Sequence, residues 1–134
     1  MGRVSVNILF IEDDPMNRRV VRDMLDVAGV TMAEAEDAES GLRQIDAAAF
    51  DVILVDLRMP GMDGFEAIRR IRARGDEKQD LPIIVVTADT ATDLRERCLS
   101  IGADEVLFKP VAMDALFDAI GATLAKKGGE GVIL

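Results

Sequence analysis

The chain has 134 residues, 49% of them hydrophobic but only 4% aromatic, with a net charge of -9. That suits one domain around one aliphatic core and is too apolar for a disordered chain. The acidity excludes direct binding to a nucleic-acid backbone, the lack of Trp and Tyr argues against a base- or sugar-stacking site, and the absence of His removes His-ligated metals and His-based triads.

A single cysteine, Cys98, permits no intrachain disulfide, so a reducing, cytoplasmic setting is expected. No apolar run is long enough to span a membrane, and the N-terminus lacks a signal-peptide apolar region. Met1-Gly2 is followed by Val6 where myristoylation needs Ser or Thr.

In chain order, Val6 to Ile11 reads as a strand, closed by Glu12-Asp13-Asp14-Pro15. Asp14 suits a helix N-cap and Pro15 the first helical position. Met16, Val20, Met24, Val27 and Ala28 recur at helical spacing until Gly29. Val30 to Glu36 is a weaker strand, and Ala38 to Ala48 a short helix with Leu42 and Ile45 on one face. Val52 to Val55 is a continuous aliphatic run between Asp51 and Asp56, the pattern of a strand buried on both faces. Arg58 to Gly64 is a Pro/Gly loop, with Asp63 as a turn or N-cap residue. Phe65, Ile68 and Ile71 mark the third helix, and the charge run Arg69, Arg70, Arg72, Arg74 reads as its solvated face. Leu81 to Val86 is a buried strand, Leu94, Cys98 and Ile101 mark the fourth helix with Cys98 in the core, and Val106 to Phe108 is a strand before Lys109-Pro110. Met113, Leu116, Phe117, Ile120 and Leu124 mark the fifth helix. The domain is expected over 1-127, with 128-134 as a flexible, Gly-rich tail.

Strands alternating with helices imply a parallel sheet covered on both faces. The expected fold is α/β, a flavodoxin-like doubly wound (βα)5 with strand order 2-1-3-4-5. In such sheets functional groups collect at the carboxyl ends of the strands, beside the topological switch point. Glu12 and Asp13 end the first strand, Asp56 the third, Thr87 the fourth and Lys109 the fifth. The first and third strands are neighbours in that order, so Glu12, Asp13 and Asp56 should converge. Three close carboxylates repel, each pair by about 1 kcal/mol in water and about 4 kcal/mol at an effective dielectric of ~20 and ~4 Å. The cluster therefore wants a cation, and all-oxygen ligands favour Mg2+, or Mn2+, over zinc. With Lys109 as a countercharge and the Thr87 hydroxyl as a donor, this is the equipment of phosphoryl transfer to an oxygen nucleophile.

From about Val6 to Leu124 the chain resembles the response-regulator receiver family. The resemblance is carried by Ile8-Leu9-Phe10-Ile11-Glu12-Asp13-Asp14, Val55-Asp56-Leu57-Arg58-Met59-Pro60-Gly61-Met62-Asp63-Gly64, Val86-Thr87-Ala88 and Phe108-Lys109-Pro110. Each piece alone is weak; in order, each at a strand end, they are specific. The resemblance implies that Asp56 is the phosphoacceptor, that Asp13 binds Mg2+ directly and Glu12 through water, and that the backbone carbonyl of Arg58 is a further ligand. It implies that Lys109 pairs with a phosphoryl oxygen and that Thr87 moves to meet the phosphoryl group, carrying the signal to the face of the fourth helix, fifth strand and fifth helix. It also implies a cis Lys109-Pro110 peptide, a phosphohistidine donor on a histidine kinase or phosphotransfer domain, a downstream protein on the output face, and a monomer or weak phosphorylation-dependent homodimer. Such a chain turns over only its own phosphorylation and dephosphorylation. Many receivers carry an aromatic residue three positions before the Lys; here Val106 stands there, so a swing of a ring is not available and a shift around Thr87 and Ala88 is expected instead.

Arg58 and Asp89, each two residues after a site residue, are expected to pair at the pocket mouth and tune phosphoryl lifetime. The start of the first helix, with Asp14, Met16, Asn17 and Val20, and Pro110 beside it, is expected to dock the phosphoryl donor. A haloacid-dehalogenase-type phosphohydrolase would need a second acid where Arg58 stands. A flavin carrier would need a Ser/Thr-rich loop and stacking aromatics, and a pseudo-receiver scaffold would have lost acids or the Lys. At this length no DNA-binding output domain is expected, leaving a stand-alone regulator or a receiver cut from a longer chain, with a mild likeness to those of hybrid histidine kinases.

Overall fold

The structure, a computed structural model, describes residues 6–128. Its sheet holds β1 (Asn7–Ile11), β2 (Thr31–Ala35), β3 (Val52–Val55), β4 (Ile83–Thr87) and β5 (Glu105–Phe108). All four pairings are parallel, in the order β2-β1-β3-β4-β5. The helices are α1 (Pro15–Val27), α2 (Ala38–Ala47), α3 (Gly64–Arg72), α4 (Leu94–Ser100) and α5 (Met113–Gly128). A 3-10 turn over Glu77–Asp80, capped by Asp76, is an addition to the expected elements. The expected tail lies outside the described residues from 129 onward.

Alternation along the strands divides the core. Ile8, Phe10, Val52, Leu54, Ile84 and Val86 face α1 and α5, where Val21, Leu25, Leu116 and Ile120 meet them. Leu9, Ile11, Ile53, Val55, Ile83 and Val85 face the other way, onto Ile45, Ile68, Leu94 and Cys98 of α2, α3 and α4. The period-2 geometry of a strand makes one aliphatic run serve both layers. Each fully buried Ile or Leu side chain contributes about 1.5–3 kcal/mol relative to exposure.

Caps fix where the helices start. Asp14 accepts a hydrogen bond from the Met16 backbone N–H at 2.8 Å, with Pro15 in the first turn, and Asp63 accepts from the Glu66 N–H at 2.9 Å. On α1 the buried residues are Val21 and Leu25, whereas Met16 and Val20 are 67% and 43% exposed and Val27 is exposed too. The helix carries two neighbouring apolar strips, and spacing alone does not say which one the sheet takes.

The run of arginines on α3 is only partly the solvated face expected. Arg69 and Arg70 pair with Glu66 at the surface. Arg72 instead turns inward and donates to the carbonyls of Gln79, Leu81 and Gly102 and to Asp104. Arg74 pairs with Asp46 and Asp76. Burial lowers the affinity of Arg72 for its proton, and Asp104 opposes that effect. The guanidinium satisfies carbonyls that the α4–β5 corner and the 3-10 turn leave free, a tertiary arrangement no local pattern announces.

Candidate functional site

Four strands deliver the site. Each of Glu12, Asp56 and Lys109 is the first residue past its strand, still held by one sheet bond: Glu12 N–H to Ala35 O at 2.9 Å, Asp56 N–H to Ile11 O at 3.0 Å, and Lys109 N–H to Thr87 O at 2.8 Å. Thr87 is the last residue of β4. The side chains are thus set by rigid backbone.

Carboxylate oxygens of Glu12, Asp13 and Asp56 lie within 4.8 Å of one another. Glu12 and Asp56 are buried and Asp13 is exposed, so the cluster opens to solvent at Asp13. Lys109 Nζ stands 2.7 Å from Glu12 Oε1 and 3.3 Å from Asp56 Oδ2. Burial pushes the Glu12 carboxyl up to about 7, against the hydrogen bonds from Lys109 and the Asp14 N–H, and the charge of Asp56 adds to the rise. Burial works against the Lys109 charge, but Glu12 and Asp56 outweigh it and raise the ammonium. One lysine faces three acids, an imbalance that favours a hard dication. The donor set fits Mg2+: oxygens only, close together, and one acid reachable from solvent.

The remaining expected residues lie at the end of β4, in β5, in the loops after β3, β4 and β5, and at the start of α1. Arg58 is exposed and its N–H lies 3.5 Å from Asp56 Oδ1. Its guanidinium donates to Asp89 Oδ2 at 2.9 Å, so the anticipated pair exists. The Asp89 carboxyl is held low by the Ala91 N–H and by Arg58. Thr87 is fully buried and its Oγ1 accepts from the Asp89 N–H at 3.1 Å. Ala88 is exposed at the start of the loop, and Val106 is buried in the cluster that also holds Leu94 and Cys98. The Lys109-Pro110 peptide is cis. Asn17, Val20 and Pro110 share a cleft of about 140 Å³ with Lys109, and Asp14 and Met16 are exposed on the same helix start without lining it.

Sequence reasoning passed over three contributors. Gly64 packs against the backbone of Asp56 and Leu57 so closely that a Cβ there would stand 2.3 Å from Asp56 O and 2.8 Å from Leu57 Cα. Arg18 donates to the Glu12 carbonyl, and Glu34 holds Arg18. Gly64 stood within a motif but had no stated role; the two charged residues look like ordinary surface positions in the sequence.

The arrangement sets a carboxylate oxygen of Asp56 beside the Lys109 ammonium and two further acids that together fit a cation, with no acid at position 58. Among known proteins, the family of the response regulator receiver domain matches residues 8–121. The sensor histidine kinase RcsC of Salmonella typhi is 39% identical over 109 residues, which are 81% of this chain and 11% of RcsC. The chain therefore spans about a tenth of that relative's length. A crystal structure of the receiver domain of sensor histidine kinase PA1611 from Pseudomonas aeruginosa PAO1, with a magnesium ion coordinated in its active site cleft, is 32% identical, with a TM-score of 0.82 over 91% of this chain and 99% of that one. The chemotaxis protein CheY4 of Vibrio cholerae is 28% identical, with a TM-score of 0.82 over 90% of this chain and 100% of CheY4.

Proposed function

Since the chain belongs to the response regulator receiver family of two-component and phosphorelay signalling, we propose that Asp56 is its phosphoacceptor. The observation that carries this is the convergence of Glu12, Asp13 and Asp56 within 4.8 Å, with Lys109 on Glu12 and Asp56.

An Asp56 carboxylate oxygen attacks the phosphorus of a phosphohistidine donor; the new O–P bond forms as the P–N bond breaks, and the imidazole leaves. Asp13, Glu12, Asp56 and the Arg58 carbonyl would hold Mg2+, which supplies charge neutralisation for the incoming phosphoryl group. Lys109, already at the acceptor, pairs with a phosphoryl oxygen. The Thr87 hydroxyl donates to another, giving up its present role as acceptor from Asp89 N–H. That exchange pulls on the loop at Ala88 and Asp89 and hence on α4, with Val106 as fixed packing. The output is read on α4, β5 and α5, where Leu99, Phe108 and Met113 are exposed. The chain acts as a signalling phosphoacceptor whose turnover is confined to its own phosphoryl group.

The donor is a histidine kinase or phosphotransfer domain, docking at the start of α1. The cleft by Asn17, Val20 and Pro110 leads to Lys109, and Met16 and Val20 present apolar surface beside it. Loss of transfer in Asn17→Arg and Met16→Glu variants, with acetyl phosphate labelling retained, would support that face.

The central test is incubation with acetyl phosphate or phosphoramidate and Mg2+, followed by mass spectrometry. The wild type gains one phosphoryl group and Asp56→Asn gains none; a wild type without an adduct overturns the reading.

A further inference from the structure

The β1–α1 corner is gripped by one arginine that stands outside the carboxylate cluster. Arg18, one turn into α1, donates from Nη1 to the backbone carbonyl of Glu12 at 2.7 Å and from Nε to Glu34 Oε1 at 2.8 Å. Its side chain is only 15% exposed. Glu34, on β2, also accepts from Arg22 through Oε2. Two α1 arginines thus close on one β2 carboxylate, and only one of them reaches the site.

The Glu12 carbonyl belongs to the peptide joining Glu12 to Asp13. Because that unit is planar, fixing its oxygen fixes the direction in which the chain enters Asp13. Asp13 is the exposed acid of the cluster. Among the described residues no hydrogen bond holds its carboxylate, so its aim depends on its backbone. Glu12 and Asp56, by contrast, are steadied by burial and by Lys109. A bare guanidinium here would also oppose a dication, and Glu34, which Arg18 shares with Arg22, offsets part of that charge.

We infer that Arg18, anchored by Glu34, is a positioning residue for the cation site: it locks the Glu12–Asp13 peptide and so aims the Asp13 carboxylate at the ion. The inference rests on the cation-binding reading above. Groups that orient ligands from behind typically govern metal affinity by about 10–100-fold.

The test is Mn2+ titration of the full chain, followed by electron paramagnetic resonance of the free ion, with melting temperature measured alongside. Arg18→Met should weaken Mn2+ binding about tenfold, and Glu34→Gln should weaken it less but in the same direction. Arg22→Met removes a Glu34 partner without touching the Glu12 carbonyl, so its affinity should stay within about twofold of wild type even where its melting temperature falls. The inference is overturned if Arg18→Met binds Mn2+ as the wild type does, or if Arg22→Met loses as much affinity as Arg18→Met. Should Arg18→Met fail to fold, the comparison of Glu34→Gln with Arg22→Met decides: equal affinities overturn the inference, and a loss confined to Glu34→Gln supports it. A wild type that binds no Mn2+, or an Asp13→Asn variant that binds it undiminished, instead removes the cation reading itself.

Discussion

Gly64 leaves room for the carbonyl of Asp56 and for nothing more: a Cβ on it would stand 2.3 Å from that oxygen. The neighbour is backbone, which cannot swing aside as a flexible side chain would. The Gly64 N–H also donates to Leu57 O at 3.0 Å, so the loop after Asp56 closes back on itself through this residue. Gly64→Ala should therefore push the segment around Asp56 and Leu57 outward, at a cost of about 1–3 kcal/mol, the usual range for overpacking. Urea unfolding measures the cost, and labelling by acetyl phosphate should slow in parallel because the acceptor itself is displaced. Wild-type stability in the variant would show that the loop has another way to relax.

Lys109 bridges Glu12 and Asp56 at 2.7 and 3.3 Å. Lys109→Met removes one positive charge from a cluster of three acids. A dication then meets less repulsion and no competitor for Glu12, so Mn2+ should bind severalfold more tightly while the metal-free protein becomes less stable. Titration calorimetry and thermal melting with and without the ion separate the two effects. If Mn2+ binds more weakly, Lys109 is part of the cation's support and not its rival.

The sheet order and the strand-end acids were legible because buried parallel strands leave continuous aliphatic runs, and polar residues at their ends stand out. Val52 to Val55 followed by Asp56 is the plainest case. Asp14 and Asp63 announced themselves as caps by position next to Pro15 and Gly64. What stayed hidden depends on which of two adjacent faces an element turns inward, and on side chains that meet across sequence. The α1 strip of Met16, Val20 and Val27 lies outside while Val21 and Leu25 lie inside. Arg72 serves the carbonyl of Gly102 across the fold, Arg18 that of Glu12 back across the β1–α1 turn, and a guanidinium that does so has the same letter in the sequence as one in solvent.

Arg58 and Asp89 join the loop after β3 to the loop after β4. Arg58 is 75% exposed, so solvent screens the pair and the melting temperature of Arg58→Ala should match wild type, whereas Asp89→Ala also loses the bond from the Ala91 N–H. The effect belongs in kinetics. With the bridge gone, water and small donors reach Asp56 more freely, and both labelling by acetyl phosphate and loss of the phosphoryl group after its removal should quicken. Mass spectrometry over a time course reads both rates; unchanged rates in both variants would leave the pair without a tuning role.

Glu34 supplies the pH dependence that tests the α1–β2 clamp. Its hydrogen bond from Arg22 holds the carboxyl below its ordinary value of 4.5; burial opposes this, and Arg18 adds to the lowering. The folded protein therefore keeps Glu34 ionised at pH values where the unfolded chain has begun to protonate it. The unfolded state then binds more protons, so stability rises with pH through that window. The contribution is complete above about 4.5 and is lost as pH falls through the lowered folded value. Paired urea titrations of wild type and Glu34→Gln should show wild type ahead at pH 7, with the gap closing steadily below 4.5. Other carboxylates titrate there as well, but they are common to both proteins and cancel in the difference. A gap that stays constant down to strong acid would mean that Glu34 acts through shape and not through its charge, and the clamp on Arg18 would then be steric.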